Sequence, residues 1–372
     1  MKRIAHVQVI PKLSGAQKFS LEIFKNVSNF EKYIICAEFE DETEEQRNDF
    51  VTHFKQANVN IIWCKNLKRK IGFHDIKSII ELYNIFRKYK FDVVHTNSTK
   101  PGIIARIAAK IAGVKKVIHT VHGISFHKEV NIFSRIIFYF LEIVALQFGN
   151  TNVTVNKNYL KYYKFMFWKK SLCIYNGLDF KALSTNKNRI HNKENNDTKN
   201  ILFVGRLDQQ KDPLGLIKIF HECSLTNNNL ILNIVGDGEL RAECEELSNK
   251  LNLNEKINFL GWISEPSLFY NNADLFVCPS KFEAFGFTFA EAAFFEIPIV
   301  ATNVEGIPEV VINNKMGYLY PPYNYSDMAQ GVLKILDNEE LKKSMSEFGL
   351  QYVTDNFQLD KCITQYLNLY NK

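Results

Sequence analysis

Short apolar runs alternate with longer amphipathic stretches along the chain, and this alternation constrains the fold more than any other feature. The runs have the length and composition of strands, whereas stretches such as 75–90 and 103–112 have helical periodicity. Such alternation is typical of parallel sheets covered by helices. The predicted strands are Ile4–Val9, Tyr33–Ala37, Val59–Trp63, Asp92–His95, Lys116–Val121, Asn152–Val155, Leu172–Tyr175, Asn200–Val204, Leu230–Val235, Lys256–Phe259, Ala273–Cys278, Ile297–Ala301 and Gly317–Tyr320.

A length of 372 residues predicts two domains, because one ordinary core rarely grows that large. The strand pattern is interrupted over 183–199, which is almost purely polar and rich in Asn. We predict a solvated loop there, just after a domain boundary near Gly177. The expected architecture is α/β, with two doubly wound domains over 1–177 and 178–355 and a ligand site in the crevice between them.

Cysteine usage and hydropathy indicate a cytoplasmic protein. The seven cysteines are scattered and form no Cys-x-x-Cys pair, and the N-terminal residues lack the apolar core of a signal peptide. The segment Ile132–Phe148 is apolar, but Arg135 and Glu142 interrupt it and it is shorter than the ~20 residues of a membrane span. We predict a buried helix there, with a helix at a membrane interface as the alternative.

The two halves of the chain carry opposite charge. Residues 1–180 hold 28 Lys and Arg against 15 Asp and Glu, a net +13, and the remainder holds 18 against 25, a net −7. A basic first half suits an anionic membrane surface or a lipid diphosphate, and the alternative is that these charges are simply solvated faces. The segment Tyr159–Lys170, which interleaves cations with aromatic residues, is predicted either to lie at that membrane surface or to form a partly buried helix. No nucleic-acid-binding motif accompanies the charge, so nucleic acid is not an expected partner.

Two carboxylates flank a glycine-containing turn in the second half. Glu283 and Glu291 are eight residues apart, after the predicted strand that ends at Cys278 and around a helix start near Thr288. A helix N-terminus offers free N–H groups to an anion, whereas carboxylates suit hydroxyl groups, and a nucleotide sugar carries both kinds of group. The alternative is structural, because Thr288-x-x-Glu291 also fits a capping box.

Cations follow the first strand of the second half. Gly205 permits a tight turn, Arg206 offers a forked donor and Lys211 a point charge, which together suit a diphosphate. In the first half, the segment around Gly15 follows the first strand, and His122 ends another strand beside a glycine, where it is a candidate for substrate contact. No Asp-x-Asp triplet occurs, so we expect neither a metal nor another cofactor, and no dinucleotide fingerprint, Walker loop or hydrolase motif is present.

These motifs, in this order over essentially the whole chain, resemble the retaining glycosyltransferases of family 4. The motifs are Ser14-Gly-Ala-Gln17, Thr120-Val-His-Gly123, Tyr175-Asn-Gly-Leu-Asp179, Val204-Gly-Arg-Leu207 with Lys211-Asp212, Glu283-x7-Glu291 and Gly306-Ile-Pro-Glu309. The stretches 95–102 and 121–127 resemble a subgroup that builds bacterial surface polysaccharides. The resemblance implies the GT-B fold, in which two Rossmann-like domains face each other across a cleft and a C-terminal helix, here 356–372, packs back on the first domain.

The resemblance also implies the function. The chain is expected to transfer a hexose or N-acetylhexosamine, with retention, from a UDP-sugar bound by the second domain to a polyprenyl-diphosphate-linked glycan bound by the first. The expected location is the cytoplasmic face of the inner membrane, as a peripheral protein. The alternatives are a UDP-sugar epimerase of similar fold and a catalytically silent glycan- or lipid-binding partner.

Residue roles follow from the same resemblance. Arg206 and Lys211 would neutralise the donor diphosphate, and Glu291 would bind the ribose hydroxyls. Glu283 would bind hydroxyls of the donor sugar, helped by backbone amides; these belong to Phe285, Gly286 and Phe287. His122 would contact the sugar near the reacting carbon, and Gly15 would let its loop approach the diphosphate.

The chain departs from the family pattern at two positions. Ser14 stands where the family usually has the first glycine of a pair, and Glu296 stands where it usually has a glycine. A glycine at position 296 would suit a left-handed helix end, so Glu296 puts that local geometry in question.

Overall fold

The structure is a computed structural model and describes residues 1–40, 42–70, 72–164, 168, 170–187 and 197–371. The chain divides into two compact units. The N-terminal unit comprises Met1–Asn176 and Asp360–Lys372, and the C-terminal unit comprises Gly177–Leu359. The assignment of acceptor binding to residues 1–177 and of donor binding to 178–355 stays a prediction.

The N-terminal unit is built on a seven-stranded parallel sheet of order β3-β2-β1-β4-β5-β6-β7. Its strands are β1 Lys2–Val7, β2 Phe30–Ala37, β3 Val59–Cys64, β4 Val93–Asn97, β5 Lys116–Val121, β6 Thr151–Thr154 and β7 Lys170–Cys173. Its helices are α1 Gly15–Lys25, α2 Glu44–Gln56, α3 His74–Tyr89, α4 Thr99–Ile111, α5 Ile132–Leu146 and α6 Lys157–Leu160. The strand order reverses between β1 and β4, which makes their carboxyl ends the topological switch point of the sheet.

The C-terminal unit repeats this plan with a six-stranded parallel sheet of order β10-β9-β8-β11-β12-β13. Its strands are β8 Lys199–Val204, β9 Leu230–Val235, β10 Ile257–Gly261, β11 Leu275–Cys278, β12 Ile299–Thr302 and β13 Gly317–Tyr320. Its helices are α7 Phe180–Lys187, α8 Pro213–Thr226, α9 Arg241–Lys250, α10 Ser267–Asn272, α11 Phe287–Phe294, α12 Ile307–Val310, α13 Tyr325–Leu336 and α14 Glu339–Asn356. The central strand β11 is fully buried, as in parallel sheets covered on both faces, and the switch point lies between β8 and β11.

The last helix, α15 Leu359–Asn371, is tied to the N-terminal unit by tyrosine hydroxyls. The Tyr370 hydroxyl lies 2.6 Å from His95 Nδ1 and 3.1 Å from His6 Nε2, and the Tyr366 hydroxyl lies 3.1 Å from the Thr120 hydroxyl. Burial lowers the pKa of His6 to about 3, so this imidazole stays neutral in its contact with the tyrosine. The two parallel sheets confirm the predicted fold class of two Rossmann-like domains. The packing of α15 on the N-terminal unit confirms the predicted C-terminal helix.

The predicted strands all occur, with ends that shift by a few residues, but two predicted boundaries are wrong. Helix α4 begins at Thr99 and not near residue 103, because Pro101 is tolerated in a first helical turn. The polar loop does not begin at residue 183, because α7 continues to Lys187. The rest of that predicted loop, through residue 196, lies outside the described residues.

The predicted buried helix at Ile132–Phe148 is wrong about burial. Helix α5 forms, but its buried residues are Glu142, Ala145 and Leu146, and most of its large apolar side chains are exposed. Of the described residues in the segment 159–170, only the first two are helical, as the end of α6 at Leu160. Tyr159 and Tyr163 are buried there, and Lys161 and Lys164 are exposed, while residues 165–167 and 169 lie outside the described part.

Candidate active site

The predicted cations and the first predicted carboxylate lie on two loops at the switch point of the C-terminal sheet. The loop after β8 carries Gly205, Arg206 and Lys211, and the loop after β11 carries Glu283. These strands are hydrogen-bonded neighbours, so the two loops begin side by side. The Gly236 backbone packs closely against the first loop. A Cβ at position 236 would lie only 1.8 Å from the Gly205 carbonyl oxygen.

Lys211 and Glu283 form a largely buried ion pair at the centre of this arrangement. The Lys211 ammonium donates a hydrogen bond to Glu283 Oε2, and the two side chains are only 11% and 14% exposed. Burial by itself would lower the pKa of Lys211, but the charge and hydrogen bond of Glu283 outweigh it and raise the pKa. Lys211 therefore stays cationic at neutral pH, within a site that is largely shielded from water.

Arg206 is the exposed cation of the site, in contrast to Lys211. Its side chain is 59% exposed, and its Nη2 lies 2.8 Å from an Asp208 carboxylate oxygen and donates to Gln210 Oε1 at 2.9 Å. Gln210 in turn bridges the two loops. Its side-chain Nε2 donates to the Phe282 backbone carbonyl at 3.1 Å, and its backbone carbonyl accepts from the Lys281 backbone amide at 2.8 Å. The bridge fixes the loop of Arg206 against the loop of Glu283.

Helix α11 begins at Phe287, four residues after Glu283, with Gly286 as its N-cap. Gly286 has a φ of +79°, and a Cβ there would lie 2.3 Å from the Phe289 ring, so both the backbone and the packing require glycine. Phe285 is buried and packs edge-on against the Phe287 ring. The first turn of α11 carries N–H groups without intrahelical partners, which is the arrangement that binds anions at helix N-termini.

Glu291 is not part of a capping box, so the structural alternative for this residue is wrong. The N-cap is Gly286, which has no side-chain capping bond, and Thr288 is already helical. The Glu291 carboxylate instead accepts a hydrogen bond from the Tyr270 hydroxyl at 2.9 Å. Tyr270 is buried and stacked on Phe295, so it holds the carboxylate in one position.

The remaining predicted residues belong to the N-terminal unit. His122 follows β5, and its Nε2 lies 2.9 Å from Asn97 Oδ1 at the end of β4. Burial lowers the pKa of His122 to about 4, so the imidazole is neutral at pH 7. Gly15 is the first residue of α1, and the ring of Phe19 on the same helix meets His122 edge-on at 4.9 Å between centroids.

Among the described positions, a side-chain hydrogen bond between two predicted residues is observed for Lys211 and Glu283 alone. Three supporting residues were missed by the sequence analysis. Gln210 has a weak signal, since it neighbours a predicted cation. Asn97 also has one, because it ends a strand. Tyr270 has none, since it lies in a short helix 21 residues before its partner. The described residues include no cluster of three or more His, Cys, Asp or Glu side chains suited to a metal ion.

Comparison with known proteins agrees with this architecture. Residues 184–352 match the family "Glycosyl transferases group 1", and residues 27–157 match "Glycosyl transferase 4-like". A solved structure from Anabaena, titled "Crystal structure of Anabaena Alr3699/HepE in complex with UDP and glucose", superposes with a TM-score of 0.81 over 100% of both chains at 17% identity, which is a likeness of fold.

Curated relatives extend the likeness to the full sequence. An Escherichia coli "UDP-Gal:alpha-D-GlcNAc-diphosphoundecaprenol alpha-1,3-galactosyltransferase" is 30% identical over 99% of this chain and 96% of its own. The Staphylococcus aureus "Capsular polysaccharide biosynthesis glycosyltransferase CapM" is 27% identical over 85% and 86%. With two Rossmann-like units and near-complete coverage by such a relative at 30% identity, the chain belongs to the group 1 glycosyltransferases of GT-B fold.

Proposed function

We propose that the enzyme transfers a hexose or N-acetylhexosamine from a UDP-sugar to a polyprenyl-diphosphate-linked glycan, with retention of anomeric configuration and without a metal or other cofactor. The observation that carries the proposal is the largely buried Lys211–Glu283 pair near the N-terminus of α11. A fixed cation, a carboxylate that can accept hydrogen bonds from hydroxyl groups, and free backbone amides thus lie within one small region. A sugar diphosphate needs all three.

The cations have complementary roles in this proposal. Negative charge builds on the leaving diphosphate as the bond to the anomeric carbon breaks. Lys211 is held in place before the donor arrives, so it stabilises that charge without reorganisation. Arg206 is exposed and able to swing onto the phosphates from its Asp208 and Gln210 contacts, as a forked guanidinium does well.

The two carboxylates would accept hydrogen bonds from hydroxyl groups of the donor. Glu283 accepts from the donor sugar, aided by the amides of Phe285, Gly286 and Phe287, and Glu291 accepts from the ribose. His122, as a neutral imidazole, contacts the sugar near the reacting carbon. Gly205 and Gly15 let the backbone of their loops approach the diphosphate closely.

Donor, acceptor and stereochemistry are proposed with support from the relatives. The Escherichia coli relative is named for UDP-Gal as donor, a diphosphoundecaprenol-linked GlcNAc as acceptor and an α-1,3 product. With the ordinary α-linked UDP-hexose, an α-linked product means retention. No side chain is assigned as a covalent nucleophile, so front-face attack, with the leaving phosphate accepting the acceptor's proton, is the proposed course. The proposed location is the cytoplasmic face of the membrane that holds the acceptor.

The test is UDP release from a panel of UDP-sugars, with and without GlcNAc-diphosphate-undecaprenol. Acceptor-dependent release that falls about a hundredfold in Lys211→Ala and Glu283→Ala supports the proposal, because one preorganised charged donor is worth ~3 kcal/mol. Matched controls are Lys250→Ala and Glu246→Ala, which remove an exposed ion pair of the same unit.

Three results would reject the proposed function. Transfer at the parental rate by the Lys211 or Glu283 variant would remove the proposed roles. Epimerised sugar without acceptor would identify an epimerase, and silence across the panel would favour a binding protein.

A further inference from the structure

Helix α5 presents a continuous apolar face to solvent. Phe133 is 77% exposed, Phe140 64%, Ile136 61% and Ile137 57%. The same face carries Ile132 at 56% and Val144 at 37%. Isolated exposed apolar residues are ordinary on a protein surface, but a contiguous set of six on one helix marks an interaction surface.

The helix is inverted relative to an ordinary amphipathic helix, which is an independent observation. Its inward face carries Glu142, whose carboxylate accepts a hydrogen bond from Arg106 Nη2 of α4 at 2.9 Å, and both side chains are at most 5% exposed. Burial raises the pKa of Glu142, and the nearby Arg106 charge opposes the rise. The unit therefore buries an ion pair against α4 while it leaves phenylalanine and isoleucine outside, which suits an apolar medium on the outer side.

Positive charge lines this face. The sequence from 128 to 170 contains seven Lys and Arg and two Asp and Glu, and one of those acids is the buried Glu142. Lys128 is exposed just before the helix, and Lys161 and Lys164 are exposed on a segment that packs on it through the hydrogen bond from the Tyr139 hydroxyl to the Tyr162 carbonyl, 3.0 Å. An apolar face flanked by lysines is complementary to an anionic lipid surface.

The far end of α5 carries an aromatic residue of the kind found at membrane interfaces. Trp168 is 58% exposed, and its Nε1 donates to Gln147 Oε1 at 3.4 Å, next to the last turn of the helix. Tryptophan is favoured at such interfaces because its ring is apolar while its N–H reaches polar groups. The exposed apolar residues of α5, the lysines beside it and Trp168 thus lie along a single surface.

The length of α5 fits a helix that lies on a bilayer. Its 15 residues extend about 22 Å, which is shorter than the ~30 Å of a hydrocarbon core. Across the described residues, no helix combines the length and the apolarity required to cross a membrane.

We propose that α5 is a membrane-docking helix that lies in the plane of an anionic lipid surface. Its six exposed apolar side chains enter the acyl-chain boundary, and the flanking lysines meet the phosphate headgroups. The inference deepens the proposed function and rests on it for its purpose, because a polyprenyl-linked acceptor is held at such a surface. Its test needs neither donor nor acceptor.

The test is sedimentation of the full chain with vesicles of phosphatidylcholine alone or with phosphatidylglycerol. We expect binding to the anionic vesicles that weakens at high salt and that falls at least about tenfold in Phe133→Glu/Phe140→Glu, because each large side chain withdrawn from lipid costs more than a factor of ten. Phe39→Glu and Leu225→Glu are matched controls, since these exposed apolar residues lie outside α5 and are expected to keep parental binding.

A second measurement holds even if the double variant folds poorly. With Trp63, Trp168 and Trp262 replaced by Phe, a tryptophan introduced as Phe140→Trp is expected to be quenched by brominated lipids in anionic vesicles, whereas one introduced as Leu225→Trp is not. Equal vesicle binding by the parent and the double variant, or no quenching at position 140, would overturn the proposal. So would a parental dimer that the double variant dissociates, because α5 would then be an interface between copies.

Activity separates this inference from the proposed function. With GlcNAc-diphosphate on a short alkyl chain as acceptor, the double variant is expected to transfer sugar at the parental rate. With the undecaprenyl acceptor in anionic vesicles it is expected to lose most activity. Vesicle binding without any transfer would reject the proposed function and leave the docking helix standing, while equal transfer to both acceptors by the double variant would reject the docking helix alone.

Discussion

The Lys211–Glu283 pair makes a quantitative prediction about stability that is separate from its role in transfer. Lys211→Met keeps the apolar stem of the lysine but leaves the Glu283 carboxylate, 14% exposed, without its cation. Removal of one partner of a buried pair costs ~3–5 kcal/mol. Because this pair keeps some contact with water, we expect the low end, a loss of ~3 kcal/mol in the free energy of unfolding.

The double variant Lys211→Met/Glu283→Gln is expected to lose less than the sum of the single variants. With both charges removed, no uncompensated ion remains in the site, and a coupling of ~2 kcal/mol should separate the double from the sum. Lys250→Met/Glu246→Gln is the control, because that pair is 69% and 65% exposed and should give no measurable coupling.

The assay is urea unfolding followed by the fluorescence of Trp262, which lies in the C-terminal unit. The other two tryptophans, Trp63 and Trp168, belong to the N-terminal unit and are replaced by Phe in every variant, so the signal reports the unit that contains the pair. Parental stability of Lys211→Met, or a double variant that loses the full sum, would refute the reasoning.

The same pair sets a pH dependence. The folded-state pKa of Lys211 is raised above its usual value of 10.5. Its contribution to stability is therefore complete below about pH 10.5 and disappears as the pH rises through the raised value. The difference in stability between the parent and Lys211→Met should be constant through neutral pH and narrow only in strong alkali.

Three further outcomes follow from individual contacts. Tyr270→Phe removes the hydrogen bond that holds Glu291, so the dissociation constant for UDP, measured by calorimetry, should rise about fivefold; an unchanged constant would separate Glu291 from nucleotide binding. Gly236→Ala places a Cβ against a carbonyl oxygen at a φ of +137°, so the thermal midpoint should fall by about 6–12 °C, and an unchanged midpoint would contradict this geometry. Arg106→Met leaves Glu142 buried with a raised pKa, so the stability loss, followed by circular dichroism, should grow as the pH rises and the carboxyl loses its proton; a loss independent of pH would contradict it.

The sequence was sufficient for the sheets because their central strands are buried on both faces. A strand such as Leu275–Cys278 is then one continuous apolar run, which needs no information from distant residues. The same holds for the loops, since in a parallel sheet any residue just after a strand lies at the ligand-binding edge. Arg206 and Glu283 were therefore placed at that edge from their positions alone.

Contacts between loops could not be predicted in this way. Lys211 and Glu283 are 72 residues apart, and their pairing depends on how two loops bend after their strands. The Tyr270 contact with Glu291 depends on the same kind of tertiary detail. Glu296 is an instructive case, because its φ of +61° shows that this chain keeps the left-handed helix end that glycine usually provides, and the Lys187 ammonium contacts its carboxylate at 2.6 Å.

Helix α5 shows how a single buried pair decides which side of a helix faces water. The helix is mostly apolar, and its two charged residues, Arg135 and Glu142, are seven positions apart and therefore lie on one face. Arg106 is fully buried on α4 and requires an anion, which turns Glu142 inward. Successive helical residues are about 100° apart, so with Glu142 inward the side chains of Phe133 and Phe140 point about 160–180° away from it. The outward position of the phenylalanines thus follows from one charge requirement on a neighbouring helix, and a lipid surface is the surrounding that makes it favourable.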